Sequence, residues 1–252
     1  MKLISINIEF NKHTRTVLDF LKRETADVIC IQEFLEEEFN FYKKELSLEG
    51  VFQPFNYVCH HIDSKLTYDT TSELKGKRYG VAILTKNIIK SGCVFYEGEE
   101  KNILKPFDEY IFDEKLQNNK ALIWVDTKID DKVTFRFITT QLPVTLEGEV
   151  TNYQLAIINS MLSHLEELGE FVLCGDMNAP RGCKSFALIA EKYKDNIPLK
   201  YKTSIDQNLH RVKGIQFMVD GLFTTNAYKT SNVRLQDGIS DHMAVIAEIS
   251  KD

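Results

Sequence analysis

The chain has 252 residues, 43% of them apolar and 27% charged, a composition that excludes intrinsic disorder and leaves enough apolar material for a sizeable core. Lysine and arginine number 31 against 37 aspartates and glutamates, a formal net charge of −6, so no overall positive field holds a long polyanion and any nucleic acid has to be gripped locally. No apolar run approaches the ~20 residues that cross a bilayer, and the start MKLISINIEFNKH lacks the continuous apolar stretch of a signal peptide. The expectation is a soluble cytoplasmic monomer without membrane insertion.

KLISINIEF alternates apolar and polar residues and reads as a strand, TRTVLDFLKRE sets Val17, Phe20, Leu21 and Glu24 at helical spacing, and DVICIQE is an apolar run closed by polar residues. Together they read as a βαβ unit whose second strand is buried on both faces. LEEEFNFYKKEL reads as a helix with Phe39, Tyr42 and Leu46 on one side and the Glu36–Glu38 run as its solvated face near the start, where negative charge is favoured. NYVCHHI, RYGVAILT, ALIWVDTKI and VTFRFITT read as short strands, with a polar, poorly patterned stretch from Gly92 to Asn119 and a hairpin turn at Asp130-Asp131. Trp124, mid-strand, reads as core. A helix is expected over Val150–Leu168 from Leu155, Ile158, Leu162 and Leu165, followed by the strand EFVLCGD and a short helix in CKSFALIAEKY. A polar loop from Asp195 to Gly214 and two final strands, IQFMVDGLFTT and HMAVIAEIS, complete the chain. No repeat or linker interrupts it, so residues 1–252 read as a single domain. The five cysteines show no CxxC spacing, and Cys30 and Cys174 sit in strand-like runs where a thiol behaves as a small hydrophobe, so buried reduced thiols are expected.

Packing does not explain why acidic or amide residues recur at strand ends: Asn7, Glu33, Asp176 with Asn178, and Asp241-His242. Ligands of α/β sheets bind beyond the C-terminal ends of strands, so these residues are expected to converge. Carboxylates brought together repel unless a cation sits among them, and hard oxygen ligands select Mg2+ or Mn2+ over zinc.

SINIEF, ICIQEF, RYGVAIL, FVLCGDMNAP, FMVDGLF and ISDHMAV stand in the order, and at roughly the separations, of the endonuclease/exonuclease/phosphatase superfamily, which the chain resembles over almost its whole length. The resemblance implies an α/β fold, a four-layered sandwich of two mixed β-sheets packed face to face with helices outside (DNase I-like), and metal-dependent cleavage of phosphoester bonds. Glu33 matches the family's main metal-binding carboxylate, Asn7 the amide that orients it or completes the metal shell, and Asp241 a neighbour in the metal site. Asp176 matches the residue that positions or deprotonates the attacking water, and Asn178 an amide donating toward the reacting centre. His242 matches the histidine on a phosphoryl oxygen, and Asp220 the carboxylate that fixes its ring and favours the imidazolium; the bland alternative for Asp220 is a turn before Gly221.

One departure stands in TTQLPVT, where Gln141 replaces the usual histidine or tyrosine; an amide hydrogen-bonds but transfers no proton. Glu9 is either a further acidic ligand or an outward-facing strand-end carboxylate. KGKRYG gathers Lys75, Lys77 and Arg78 beside Tyr79, as in a phosphate-gripping loop with a stacking ring, against the alternative of merely solubilising charges. NLHRVKG offers His210, Arg211 and Lys213 where the family often places substrate contacts. His60-His61 near a strand end read as surface or satisfied histidines, against the alternative of a metal site. The expected function is a Mg2+- or Mn2+-dependent phosphoesterase cleaving phosphodiester bonds of nucleic acid by in-line attack of water. A phosphatase or phosphodiesterase of a small molecule or lipid headgroup, of inositol phosphate or sphingomyelinase type, is the alternative. A catalytically silent binding module would show decay among the ligand residues, and of these only Gln141 departs.

Overall fold

The structure, a computed structural model, describes residues 1–58, 73–74, 76–99, 119–128 and 133–251. Its first half runs β1 (Lys2–Asn7), α1 (Thr14–Glu24), β2 (Val28–Leu35), α2 (Phe39–Leu46), β3 (Glu49–Tyr57), β4 (Arg78–Thr85), β5 (Ile88–Glu97) and β6 (Lys120–Thr127). The second half runs β7 (Phe135–Gln141), α3 (Asn152–Glu167), β8 (Val172–Asp176), α4 (Lys184–Lys192), β9 (Lys194–Asp195), β10 (Asp220–Thr224), β11 (Tyr228–Gln236) and β12 (Ala244–Lys251). Two six-stranded sheets result, ordered β11-β12-β1-β2-β4-β3 and β5-β6-β7-β8-β10-β9. Each contains one parallel pair, β1 with β2 and β7 with β8, among antiparallel neighbours.

Alternation along the strands sends one set of side chains inward and the other to the helices. Leu3, Cys30, Phe55 and Ile83 of the first sheet meet Ile123, Phe137, Cys174 and Leu222 of the second in a shared apolar layer. On the outer face of the first sheet, Ile4, Ile6 and Ile31 pack against Val17, Phe20 and Leu21 of α1 and Tyr42 of α2. Ile138, Leu173 and Phe223 pack under Ile158, Met161 and Leu165 of α3 and Phe186 of α4. The expected four-layered α/β sandwich is therefore the observed fold. Cys30 and Cys174 are free, buried thiols.

Several local expectations change, most of them at sheet edges. β5 fills part of the stretch that lacked pattern, β3 begins at Glu49 rather than Asn56, and β11 adds a third strand to the final two. Among the described residues all three are edge strands, half solvated and unpaired on one side, so their sequences lack a buried stripe; Pro54 is tolerated in β3 for the same reason. Trp124 lies half-buried on the outer face, with the Arg136 guanidinium 4.5 Å and the Lys90 ammonium 5.5 Å from its ring. The buried stripe of α3 contains Gln154 and Ile157 in place of Leu155. Glu36–Glu38 forms a 3₁₀ turn ahead of α2. Cys59, His60, His61, Lys75 and the Asp130-Asp131 turn lie outside the described residues.

Candidate active site

Both parallel pairs end on the same side of the sandwich, and their C-terminal residues meet across the seam between the sheets. Strand register sets Gln141 opposite Asp176 on one side and Asp220 opposite it on the other. Asn7 and Glu33 close the facing sheet, where Asn7 pairs with Gln32. Hydrogen bonds cross the seam, among them Asn7 Nδ2 to Asp176 Oδ2 at 3.1 Å, Gln141 Nε2 to Glu33 Oε1 at 2.8 Å and Gln32 Nε2 to Thr139 Oγ1 at 2.9 Å. Asp241 and His242 arrive just before β12, held by a single bridge between Ile205 and His242. The His242 Nδ1 lies 2.8 Å from Asp220 Oδ2. One oxygen or nitrogen from each of Asp176, Asp220 and His242 falls within a span of 4.8 Å.

The backbone is bent to achieve this. The β2–β4 register slips between Ile31 and Phe34, and Glu33, inside that bulge, takes a left-handed φ of 52°. A bulge re-aims a side chain that regular pleating would direct elsewhere. Glu9 and Asn178, at φ 49° and 45°, are left-handed as well, a conformation costing about 1 kcal/mol or more for a residue with a Cβ and concentrated at functional sites.

Burial pushes the Glu33 carboxyl up to about 7, with the negative charge of Asp241 adding to it. Burial likewise raises Asp176 to about 6 against the opposing pull of His242, and it raises Asp241. For His242 burial disfavours the cation, but Asp220, Asp176 and Asp241 overcome it and hold the imidazolium well above its ordinary pKa. Lys120, which nothing in the sequence singles out, is only 2% exposed, with its ammonium 5.1 Å from the Phe55 ring. Burial pulls its pKa down to about 8 against the attraction of Glu33 and Asp176. Among the described residues, buried Asp176, Asp220 and Asp241 and half-buried Glu33 thus stand beside the buried cations His242 and Lys120, and His210 acts on Asp241 as well. Four carboxylates gathered away from water, three of them with pKa values raised by burial and mutual repulsion, present hard oxygens that fit a divalent cation.

The remaining candidates divide. Both carboxylate oxygens of Glu9 are engaged, by Lys12 at 2.8 Å and His13 at 3.1 Å, although its charge still reaches Asp241. Asn178 donates through Nδ2 to the Leu142 carbonyl at 2.8 Å, so this amide ties a loop. Asp176 Oδ1 accepts from the Asn178 N–H at 2.9 Å. In the loop proposed to grip phosphate, Lys77 pairs with Glu37 at 2.5 Å and Arg78 with Glu36 at 3.2 Å, both at the surface. Tyr79 packs edge-on against Phe10 over Leu35, Val58 and Leu74 rather than standing free as a stacking platform. His210 and Arg211 are half-buried on the loop before β10, and the His210 charge reaches Asp241. Gln154 is a second residue that sequence reasoning missed: from inside α3 its Nε2 donates to Asn178 O at 3.0 Å and Pro143 O at 3.3 Å. Its only sequence signal is an amide on an otherwise apolar helical stripe.

Residues 4–242 match the Endonuclease/Exonuclease/phosphatase family. The chain belongs to this family. As an endonuclease/exonuclease/phosphatase protein it is a metal-dependent hydrolase of phosphoester bonds. Its fold is similar to that of a conserved protein of unknown function from Enterococcus faecalis V583, with a TM-score of 0.71 at 16% identity over 100% of both chains. It is similar to the human Nocturnin catalytic domain with bound sulfate, with a TM-score of 0.71 at 15% identity over 100% of this chain and 93% of that one. A third similar structure is a mannosyl-6-phosphatase of Bacteroides thetaiotaomicron VPI-5482, with a TM-score of 0.66 at 13% identity over 99% of each chain. No curated protein matches the sequence. Among the described residues no helix is long and apolar enough to cross a membrane.

Proposed function

We propose that the chain hydrolyses small phosphoesters with Mg2+ or Mn2+ held by Glu33, Asn7 and Asp241. The carrying observation is the cluster of mutually repelling carboxylates at the seam, oxygen donors that such an ion prefers. When bound, the ion supplies Lewis-acid polarisation of the phosphoryl group. The protein's own groups account for the rest. Asp176, held by the Asn178 N–H and the Asn7 amide, is placed to orient a water and take its proton. Asp220 occupies Nδ1 of His242 and keeps the ring cationic, so Nε2 is left to donate to a phosphoryl oxygen as negative charge builds there.

The preference for a small substrate over nucleic acid rests on the ion pairs of Lys77 and Arg78 with Glu37 and Glu36. Cations already matched by neighbouring glutamates release fewer counterions from a polyanion, and the chain's net charge of −6 opposes long-range attraction. The test is hydrolysis of a panel of sugar, inositol and glycerol phosphates beside single-stranded DNA and RNA, with Mg2+, with Mn2+ and with EDTA. Turnover of a small ester that needs the metal, is lost in Glu33→Gln and changes little with salt is the expected result. Full activity in EDTA overturns the metal assignment, and a steep salt dependence with the oligonucleotides restores the nucleic-acid reading.

A further inference from the structure

We infer that Lys120 binds a terminal oxygen of the substrate phosphate and so makes the chain selective for phosphomonoesters over phosphodiesters. The inference rests on the phosphoesterase reading above and names the ester class that this site takes. Lys120 opens β6, which runs antiparallel to β7, so it stands at the same end of the sheet as Gln141 and Asp176. The order β6-β7-β8-β10 puts Asp176, the last residue of β8, between Lys120 on one side and the Asp220–His242 pair on the other. The Lys120 side chain turns into the seam: its ammonium stands 5.1 Å from the ring of Phe55, which belongs to the layer shared by the two sheets.

Lys120 differs from the other low-exposure cations in having no partner. Arg136 pairs with Asp126 at 2.7 Å, Arg181 with Asp195 at 2.8 Å and His242 with Asp220 at 2.8 Å. Among the described residues, no carboxylate oxygen lies within 4.0 Å of the Lys120 nitrogen and no acceptor takes a hydrogen bond from it. The residue as a whole is 2% exposed, yet its nitrogen keeps accessible surface, unlike the Gln32 and Gln141 amide oxygens, which are sealed. Glu33 and Asp176 attract this ammonium from beyond contact. A buried charge is costly unless paired, and water satisfies its donors without neutralising it, whereas an anion does both.

The substrate brings such an anion. A phosphomonoester carries about −1.5 to −2 at pH 7 over three terminal oxygens, while a phosphodiester carries a single charge over two. Cations on either side of Asp176 can take separate terminal oxygens of a monoester. In a diester one of those oxygens is esterified, so one cation faces a neutral acceptor, and a hydrogen bond between two ionised groups is roughly twice as strong as a neutral one.

The experiment pairs two esters with one leaving group, 4-nitrophenyl phosphate and methyl 4-nitrophenyl phosphate, at pH 7 with Mg2+. Binding of inorganic phosphate and of dimethyl phosphate is measured by titration calorimetry under the same conditions. Wild type should bind phosphate about tenfold or more tighter than dimethyl phosphate, the worth of a hydrogen bond to a charged group. In Lys120→Met, close in length and uncharged, that advantage and the monoester-to-diester ratio of kcat/KM should both fall about tenfold, and Lys120→Arg, which keeps the charge, should recover part of each. A cation that only balanced Glu33 and Asp176 would, on removal, slow both esters alike and leave the ratios where they were. Phosphate binding that Lys120→Met weakens selectively, with neither ester hydrolysed, keeps the role of Lys120 and sinks the hydrolytic reading. Hydrolysis of both esters with ratios unchanged in Lys120→Met does the reverse. Equal binding of phosphate and dimethyl phosphate by wild type, or no binding of phosphate, overturns the inference even if no Lys120 variant folds.

Discussion

His242 combines a low-exposure position with three nearby carboxylates, and its direct bond to Asp220 selects which ring nitrogen remains for the substrate. Removing charge from Asp220 while keeping its shape tests that division. In Asp220→Asn the imidazolium loses its nearest anion, so its pKa falls and the cation is lost at lower pH. The alkaline limb of the kcat profile should then move to lower pH, with kcat near neutrality reduced more than KM is raised. His242→Ala should cost roughly 10²- to 10⁴-fold in kcat, as removal of a general acid typically does. An unshifted alkaline limb in Asp220→Asn would show that Asp220 only holds the loop. The convergence of these residues was legible in the sequence because polar groups stand near strand ends: Asp176 closes β8 and Asp241-His242 precede β12, whereas Glu33 sits in a bulge two residues before the end of β2. Lys120 and Gln154 were not legible, because each is buried by contacts with segments distant in the chain. The pairing of Lys77 and Arg78 with glutamates about 40 residues earlier was hidden for the same reason.

Among the elements, β8 is the one whose position the chemistry needs most, since Asp176 ends it between Gln141 and Asp220. Gly175 immediately before it adopts φ 148°, and a Cβ there would fall inside van der Waals contact with the Thr140 carbonyl oxygen of β7. That obstacle is backbone, which cannot rotate away. Gly175→Ala is therefore expected to force β8 from β7, costing roughly 2–4 kcal/mol of stability and displacing Asp176. Urea denaturation and kcat should both respond, and a variant with wild-type stability and rate would refute the close approach. Nothing in FVLCGD announces this from sequence, where the glycine reads simply as part of a strand end. The helices and central strands were legible because burial imposes a period on them, whereas β3, β5 and β11 were recovered poorly because an edge position imposes almost none. Bulges such as the one at Glu33 escape sequence reading as well, since they depend on how a neighbouring strand pairs.

At the scale of the whole molecule, the two sheets share an apolar layer that ends at the seam in a knot of like charges, so function and stability are opposed there. Without a cation, the raised pKa values of Glu33 and Asp176 mean that folding favours their protonated forms. Their stabilising contribution is complete below about pH 4, near the unfolded values, and is lost as the pH rises through about 6 for Asp176 and about 7 for Glu33. For Glu33 the shift corresponds to an upper limit of about 3 kcal/mol, reduced because water reaches part of the side chain. The groups that shift the other way leave this window clear: Glu9, Glu24 and Asp206, held low, titrate beneath it, and Lys120 does so only near 8. In EDTA the protein should accordingly be less stable at pH 7.5 than at pH 5. Mg2+ should raise the Tm more at pH 7.5, where the carboxylates are more ionised and protons compete less, than at pH 5. Glu33→Gln should flatten both responses, because a neutral side chain neither repels Asp241 nor attracts the ion. A metal-free protein whose stability is constant or rises between pH 5 and pH 7.5 would contradict the electrostatic account of the seam, and with it the reason given for a divalent cation there.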